Sequence, residues 1–477
     1  MTMHRIKYSA VALLLALTAC DDSFNGGVSP NATPDKNASN TEVTEKDEKG
    51  IISASVTDPL YSLIQEGGAT RGVGAFDGWD VSKDKWLNSH MSVFAFRADN
   101  HITKGVETYA YDADPNNCLL WNEDAHVVSN GMLDFYNGPK YYNAVHQDYR
   151  YKFYVSHIDD AYASDLKVDG KTLKKEIQVD GSQDVMVGFA YHSDAAITKH
   201  LTDLVNHGYA TDDEVRVLNI QRQNLVYSTT AGHRALHPLF HLRHLMTRFQ
   251  IQVAGRCSAT EPNVPTYRNI LITGIELLAP DGGVITIAND AWNEQFDSIP
   301  YQEVFALNNQ KVYFQGKINT QVPIAADAET DLTPEQATME REQLLKILRN
   351  EGVVVNEPVW QCNGRKPQTL SQDFLVPLQE SYKIRLRYYY IDRQQDGKGG
   401  FLPSIASPKD IHDFTKGENV TTYEIKPSAE TSFKAFQEGK KYIIQLFVYG
   451  LEEVKLNVMD LDLWQEGGTI PVEPEEE

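Results

Sequence analysis

Four histidines at spacings of four and three residues could ligate a metal: His233, His237, His241 and His244. On a helix these spacings would bring the imidazoles to one face, where zinc takes nitrogen ligands in tetrahedral geometry. Pro238 interrupts the run, however, and no acidic metalloprotease phrase accompanies it. On a strand, His241 and His244 would point to opposite faces. The pattern therefore favours strand histidines, and we expect no metal site.

A second pattern partly resembles a calcium-binding loop. Counted from Asp112, oxygen-bearing side chains stand at positions 1, 3, 5 and 12, the last being Glu123. Asn117 replaces the glycine that such a loop requires, a proline stands at the fourth position, and no flanking helices are predicted. We interpret the segment as a surface loop.

Clustered tyrosines raise the alternative of a binding surface, because exposed phenol rings stack on sugars or contact partner proteins. Packing in the core and on a sheet face is the interpretation that we favour for most of these tyrosines. The residues are Tyr136, Tyr141, Tyr142 and Tyr149. For catalysis the sequence offers no GxSxG, HExxH, P-loop or dinucleotide phrase, so we predict neither an enzyme nor a cofactor.

The N-terminal residues carry a signal for export and acylation. Arg5 and Lys7 precede an apolar run at 10–17 that is too short to span a bilayer, and Leu-Thr-Ala then leads into Cys20. This arrangement is similar to the bacterial lipobox, in which the cysteine is acylated and becomes residue one of a lipoprotein. We expect a lipid anchor at Cys20. The Asp21 and Asp22 pair resembles a surface-export signal, which favours an outward-facing location.

The composition excludes one class of binding partner and limits the possible disulfides. The formal net charge of −22 repels nucleic acid, so no nucleic-acid role is predicted. Besides Cys20, the cysteines Cys118, Cys257 and Cys362 allow one disulfide without indicating which pair would form it. Residues 21–50 are almost entirely polar, which predicts a disordered tether between the anchor and the folded part.

From residue 51 onward, apolar side chains recur with a period of two, which predicts strands. Ile52, Ala54 and Val56 share one face of the first such run. Further alternating runs lie at 91–96, 149–155, 247–253, 382–390, 442–448 and 454–458. Turn residues separate the runs, so the chain is predicted to be all-β and to form β-sandwiches.

Two helices interrupt the strands. Thr333 and Pro334 read as an N-cap and a first-turn proline, and the helix should run to Gly352. A second helix is predicted at about 197–206. Both are expected to be insertions that cap a sheet edge. The predicted organisation is a signal peptide (1–20), the tether (21–50), an N-terminal sandwich (51–232), a C-terminal sandwich (233–466) and an acidic tail (467–477).

Several phrases together resemble the fimbrillin-like family of Bacteroidetes lipoproteins, which includes pilins assembled by proteolysis and strand exchange. In order along the chain they are TRG (70–72), MSVFAF (91–96), YKFYV (151–155), GSQDVM (181–186), FHLRHLMTRF (240–249), FQEGKKY (436–442) and DLW (462–464). Their order and spread carry the resemblance. It implies two tandem transthyretin-like sandwiches, each of seven strands, in an outer-membrane lipoprotein precursor.

For polymerising members, the resemblance also implies cleavage after an arginine by an arginine-specific protease. The matching bond here lies between Arg71 and Gly72, within a glycine-rich stretch. The cut would release the strand containing Ile52, Ala54 and Val56, and a strand of another pilin subunit would fill the groove. The short tail after Trp464 is a poor strand former, so a tip or anchor role fits as well as a shaft role.

Two functions from different classes follow. The first is a lipid-anchored fimbrial subunit or precursor, which contributes to cell adhesion. The alternative is a non-polymerising surface lipoprotein that binds a glycan or a host protein.

Overall fold

The alternating runs form strands in a computed structural model of the chain. The structure describes residues 52–56, 90–99, 108–128, 131–143, 149–159, 162–192, 198–199, 202, 205–206, 227, 237–256, 268–293, 295–318, 334–355, 359–362, 368–393, 411–414, 417–427, 435–449 and 453–461. Strands predominate over helices in this part of the chain, which agrees with the predicted all-β class.

The described strands are β1 (Ala54–Val56), β2 (His90–Arg97), β3 (Cys118–Val127), β4 (Met132–Phe135), β5 (Tyr151–Ile158), β6 (Tyr162–Ala163), β7 (Lys167–Asp169), β8 (Thr172–Gln178), β9 (Val185–Ala190), β10 (Leu239–His244), β11 (Met246–Arg256), β12 (Arg268–Pro280), β13 (Gly282–Asn289), β14 (Phe305–Leu307), β15 (Lys311–Gly316), β16 (Trp360–Cys362), β17 (Gln368–Thr369), β18 (Phe374–Pro377), β19 (Tyr382–Arg393), β20 (Ile411–Phe414), β21 (Asn419–Ile425), β22 (Lys441–Tyr449) and β23 (Glu453–Leu461). Among the described residues, the helical elements whose bounds are complete are a 3₁₀ turn (Phe296–Ser298), α1 (Tyr301–Val304) and α2 (Pro334–Asn350).

Seven strands form a closed sheet in the order β1-β10-β9-β5-β2-β3-β4, with β4 returning to β1. Every pairing in this ring is antiparallel except β1 with β10. The resemblance implies seven-stranded sandwiches, so a closed sheet of seven strands differs from that detail.

Both faces of the closed sheet are buried where β2, β5 and β9 lie side by side. Met91, Val93 and Ala95 point into the ring, whereas Phe94 and Phe96 point outward into a larger core. Strand alternation places successive side chains on opposite faces, so one strand serves two cores. The outward face of these strands is covered by a second sheet, ordered β14-β13-β8-β6, in which β7 also pairs with β8.

The domain boundary at residue 232 remains a prediction. Two sets of strand pairs join residues from opposite sides of it. β8 pairs with β13 along seven register positions, although the boundary separates them. β10 lies after the boundary and pairs with β9 and β1. Only Leu245 separates β10 from β11, which starts the remaining sheets.

Two further sheets follow. One has the order β17-β11-β22-β23, with β18 on β11, and the other has the order β15-β12-β19-β20, with β16 on β12 and β21 on β19. Their facing apolar side chains, such as Phe249, Ile275 and Ile444, belong to one core. On the other face of β11, Asp373 accepts hydrogen bonds from Arg248 and from Gln250 and pairs with Lys441 at 3.3 Å.

The helix α2 confirms the prediction from Thr333 and Pro334, and it ends just before Gly352, whose φ is 78°. Its apolar side chains, including Leu344 and Leu348, pack with Leu271 of β12 and Tyr389 of β19. Those residues are cross-strand partners inside the sheet. The helix therefore covers a sheet face, and the expectation that it caps an edge is wrong. Of the second predicted helix, residues 198–199, 202 and 205–206 are described and helical.

Candidate functional site

β1 joins the two ends of the closed sheet. Ser55 and Val56 pair in parallel with Leu239 and Phe240 of β10, and Ala54 and Ser55 pair antiparallel with Leu133 and Met132 of β4. Two further backbone hydrogen bonds hold this segment. The Ile52 N–H donates to the Lys140 carbonyl at 2.8 Å, and the Ser55 N–H donates to the Pro238 carbonyl at 3.0 Å. Without β1, β4 and β10 would become free edges.

The apolar side chains of this segment fill the interior of the ring. Ile52, Ala54 and Val56 are 3%, 0% and 5% exposed, and all three belong to the core enclosed by the closed sheet. The intervening Ser53 and Ser55 are half-buried. Burying an isoleucine and a valine contributes about 1.5–3 kcal/mol each, so the side chains hold the segment with about 3–6 kcal/mol. This free energy is enough to keep β1 in place, yet it is small compared with the free energy that burial of the whole core contributes.

The wall of this slot depends on one glycine. A Cβ at Gly188 of β9 would lie 2.7 Å from Cγ1 of Val155 and 2.9 Å from Cδ2 of Leu242. Because real Cβ atoms do not approach that closely, glycine lets Leu242 of β10 pack against β5. Gly188 thereby sets the position of the strand on which β1 rests.

The predicted modification residues lie outside the described residues. These are the anchor Cys20 and the cleavage pair Arg71 and Gly72. In sequence, Arg71 follows Val56 and precedes His90, so a cut after it separates β1 from the rest of the ring.

The histidine run lies partly on β10, as the strand interpretation predicts. Side chains on β10 alternate between half-buried and buried, and His241 and His244 fall in different sets. The buried His244 ring contacts the Asp184 carboxylate at 2.8 Å. The His241 ring stacks on Tyr191 at 3.7 Å and donates through Nε2 to the Tyr191 carbonyl at 3.2 Å. Burial lowers the pKa of His241 to about 4.

Among the described residues, no group of three or more His, Cys, Asp or Glu side chains is arranged to hold a metal ion. In the segment that partly resembles a calcium loop, the Asp112 carboxylate accepts from the backbone of Asp114 at 3.0 Å and from the Asn117 amide at 3.1 Å. Glu123 pairs instead with Lys140 at 2.6 Å. The loop is thus closed by its own hydrogen bonds.

The clustered tyrosines separate into different environments. Tyr136 is 57% exposed and lies against His126, with ring centroids 4.7 Å apart. Tyr142 is buried, and the Tyr149 ring lies beneath the Arg97 guanidinium at 4.5 Å. Only Tyr136 of the clustered set retains a largely open ring among the described positions.

Cys118 is a free thiol whose Sγ donates to the Leu120 carbonyl at 3.0 Å. Burial raises its pKa to about 12, so it is protonated and unreactive at neutral pH. The side chains of Cys257 and Cys362 lie outside the described part of the chain.

Sequence reasoning identified β1 as a strand but did not indicate which strands hold it. No local signal marks β4 and β10 as its neighbours, because the pairing joins segments far apart in sequence. Of the buried tyrosines within the ring, Tyr142 was assigned to packing and Tyr151 to an alternating strand, whereas their place inside a closed sheet was not predicted. Their alternation with polar residues indicates strands, whereas nothing in the sequence indicates what their hydroxyls contact.

The fold is therefore an all-β chain with a closed seven-stranded sheet that a short N-terminal strand completes. In the described part of the chain, none of the helices combines the length and the apolar character needed to cross a bilayer.

No family model and no curated protein matches the chain. Solved structures similar to it include a cell adhesion protein of Parabacteroides distasonis, described as putative (8% identity, TM-score 0.36, 88% of this chain and 98% of that one). The fimbrial anchor protein Mfa2 of Porphyromonas gingivalis is similar at 8% identity and TM-score 0.30, over 88% of this chain and 99% of that one. A fimbrilin of the same species is similar at 11% identity and TM-score 0.31, over 86% and 96%.

These structures are described as a cell adhesion protein, a fimbrial anchor protein and a fimbrilin. The role of β1 in this chain is inferred below from its own pairing and burial.

Proposed function

We propose that the chain is a fimbrial structural subunit, or its lipid-anchored precursor, that assembles by exchange of β1 for a strand of another subunit and contributes to cell adhesion. In this proposal an arginine-specific protease cuts after Arg71 and releases the segment that carries β1. A neighbouring subunit then supplies the strand that closes the ring.

The position of β1 is the observation that carries the proposal. A short segment at the N-terminal end of the described residues completes a closed sheet, pairs on both sides and buries three apolar side chains. Its removal leaves two unpaired strand edges and an apolar slot, and each requires a replacement strand. A peripheral strand on an open sheet would leave no such slot.

The slot specifies the geometry of its occupant. A replacement strand must run parallel to β10 and antiparallel to β4, as β1 does. It must also offer apolar side chains at alternate positions, since Ile52, Ala54 and Val56 point inward. The middle position must be small, because Ala54 has no exposed surface in a filled core.

Export and anchoring follow from the N-terminal signal. We infer acylation of Cys20, a tether over residues 21–50 and a location on the outer face of the outer membrane, with transfer to the fimbrium after cleavage. We also infer two tandem transthyretin-like sandwiches, as the resemblance implies, with the closed seven-stranded sheet as a departure from that arrangement. The absence of catalytic phrases supports a structural rather than an enzymatic role.

The proposal is tested by incubating the purified full chain with an arginine-specific protease and following mass and oligomeric state. We expect cleavage after Arg71 and a ladder of oligomers, whereas Arg71→Ala remains uncut and monomeric. The N-terminus of protein recovered from cells gives an independent readout: lipidated Cys20 identifies the precursor, and Gly72 identifies the processed subunit. A protein that stays monomeric after quantitative cleavage contradicts strand exchange.

The alternative of a non-polymerising surface protein is favoured by one observation, the open ring of Tyr136. Exposed aromatic rings serve as stacking platforms for sugars. Under this alternative, intact monomer binds a glycan array or a host protein, and Tyr136→Ala abolishes the signal. Binding unaffected by Tyr136→Ala removes the support for this function.

A further inference from the structure

Lys140 contacts both neighbours of β4, each through a different group. Its backbone carbonyl accepts the Ile52 N–H, at 2.8 Å, two residues before β1 begins. Its ammonium nitrogen lies 2.6 Å from a carboxylate oxygen of Glu123 on β3. Because β4 pairs with β1 on one side and with β3 on the other, Lys140 connects the two strands past the end of β4.

A β-bulge places Glu123 on the inner face of the ring. Glu123 pairs with Val93, and Leu120 pairs with Ala95, so β3 has one residue more than β2 in this interval. The bulge includes Asn122, whose φ is 50°. Val93, Ala95 and Leu120 belong to the core enclosed by the ring, and Glu123 therefore lies on the same inner face as its partner Val93.

A carboxylate on that face requires a partner of opposite charge. The side chains of Glu123 and Lys140 are 26% and 18% exposed, so both charged groups are largely removed from water. Taking a charge out of water is unfavourable unless the charge is paired. The ion pair thereby restricts where the Lys140 side chain, and with it the Lys140 backbone, can lie.

The backbone of Lys140 is also held from both chain directions. Before it, a tight turn closes β4, in which the Gly138 N–H donates to the Phe135 carbonyl at 3.0 Å and Gly138 has a φ of 80°. After it, Tyr142 is buried in the core of the ring. The Lys140 carbonyl is thus a fixed acceptor at the start of the slot.

We propose that the Lys140–Glu123 pair positions the strand in the slot, by holding the Lys140 carbonyl where it receives the first backbone hydrogen bond. The pair thereby selects an occupant with a free N–H at the position of Ile52. Proline at that position would leave the carbonyl without its donor. The hydrogen bond also fixes the register, because a slip of one residue would turn the apolar side chains of the strand out of the core.

The selection of an incoming strand rests on the proposed function, whereas the positioning of Ile52 is a property of the intact chain. Hydrogen–deuterium exchange of the intact chain, resolved at the Ile52 and Ser55 amides, tests the positioning. Glu123→Gln combined with Lys140→Met removes both charges and leaves no carboxylate unpaired. In this double variant we expect exchange at Ile52 to rise roughly fivefold, as for the loss of one hydrogen bond. Exchange at Ser55, which bonds to Pro238 on the other side of β1, should not change.

Two further variants separate the ion pair from other effects of substitution. The reversed pair, Glu123→Lys with Lys140→Glu, should restore the parent rate at Ile52. Lys174→Met is the matched control, because it breaks an ion pair of the same 2.6 Å length on β8, and it should change neither amide. An Ile52 rate that stays at the parent value in the double variant overturns the proposal. Equal acceleration at Ile52 and Ser55 also overturns it, since the pair would then stabilise β1 as a whole.

The selection is tested on the chain cleaved after Arg71, with a peptide of residues 51–57 and its ester analogue, in which oxygen replaces the Ile52 N–H. The native peptide should bind the cleaved parent about fivefold more tightly than the ester, and the double variant should bind both equally. Equal binding of the two peptides to the parent overturns the selection. If neither peptide binds, strand exchange itself fails, and the exchange rate at Ile52 in the intact chain still decides the positioning.

Discussion

Ala54→Asp is expected to displace β1 without proteolysis. Ala54 is fully buried in the centre of the segment, so the new carboxyl would enter an apolar core. Keeping that carboxyl neutral at pH 7, from an unperturbed pKa of about 3.9, costs about 4 kcal/mol. This equals much of the roughly 3–6 kcal/mol with which Ile52 and Val56 hold the segment. The penalty is thus comparable with the energy that holds β1, so a state with β1 released into water becomes populated while the rest of the core stays packed.

Hydrogen–deuterium exchange provides the assay. In Ala54→Asp we expect fast exchange of the amides of β1 and of the facing edges of β4 and β10, together with concentration-dependent oligomers. Ser55→Asp is the matched control, because Ser55 is half-buried on the opposite face and its side chain stays outside the ring core. Circular dichroism should show the same strand content in both variants.

The reasoning is refuted if Ala54→Asp keeps β1 protected and the protein monomeric, as in Ser55→Asp. Loss of all strand signal would also contradict it, since β1 would then support the entire core rather than a removable part.

Three further predictions concern stability. Gly188→Val should lower the free energy of unfolding by about 1–3 kcal/mol, because the new side chain overpacks the core. Thermal melting measures the loss. Gly417→Ala is the control and should leave the free energy of unfolding unchanged, because the space around Gly417 is open. Because burial lowers the pKa of His241 to about 4, the unfolded state binds its proton first. Stability should therefore fall as the pH drops from about 6.5 to 4, by at most about 3 kcal/mol. His241→Gln should flatten that fall in urea titrations, and an unchanged pH profile would contradict the assignment. Asp373→Asn should cost about 3–5 kcal/mol by removing a buried carboxylate shared by two cations, whereas the exposed Asp169→Asn should cost under about 1 kcal/mol; equal losses would argue against the buried network.

The sequence predicted those parts of the fold that depend on local pattern. The apolar alternation of Ile52, Ala54 and Val56 predicted a strand whose inward face is buried, and Thr333 with Pro334 predicted where α2 begins. Both patterns lie within a few residues, so they predict local structure without knowledge of the rest of the chain.

The closed sheet was not predicted, because closure depends on which distant strands become neighbours. The parallel pairing of β1 with β10 is not indicated by the sequence of either strand. The same holds for the pairing of β8 with β13 across the predicted domain boundary. The histidine run is a local pattern that the sequence interpreted correctly as strand residues. What it did not indicate is the partner of each ring: the strand geometry sends His241 to Tyr191 and His244 to Asp184.

The removable role of β1 is tested most directly by competition with a synthetic peptide of residues 51–57. Added during cleavage by an arginine-specific protease, the peptide should refill the slot and yield a monomer with one bound peptide by native mass spectrometry. A peptide of the same composition, with its apolar residues moved off the alternate positions, should leave the oligomer ladder intact. An oligomer distribution that the native peptide does not change would contradict the assignment of β1 as the exchanged strand.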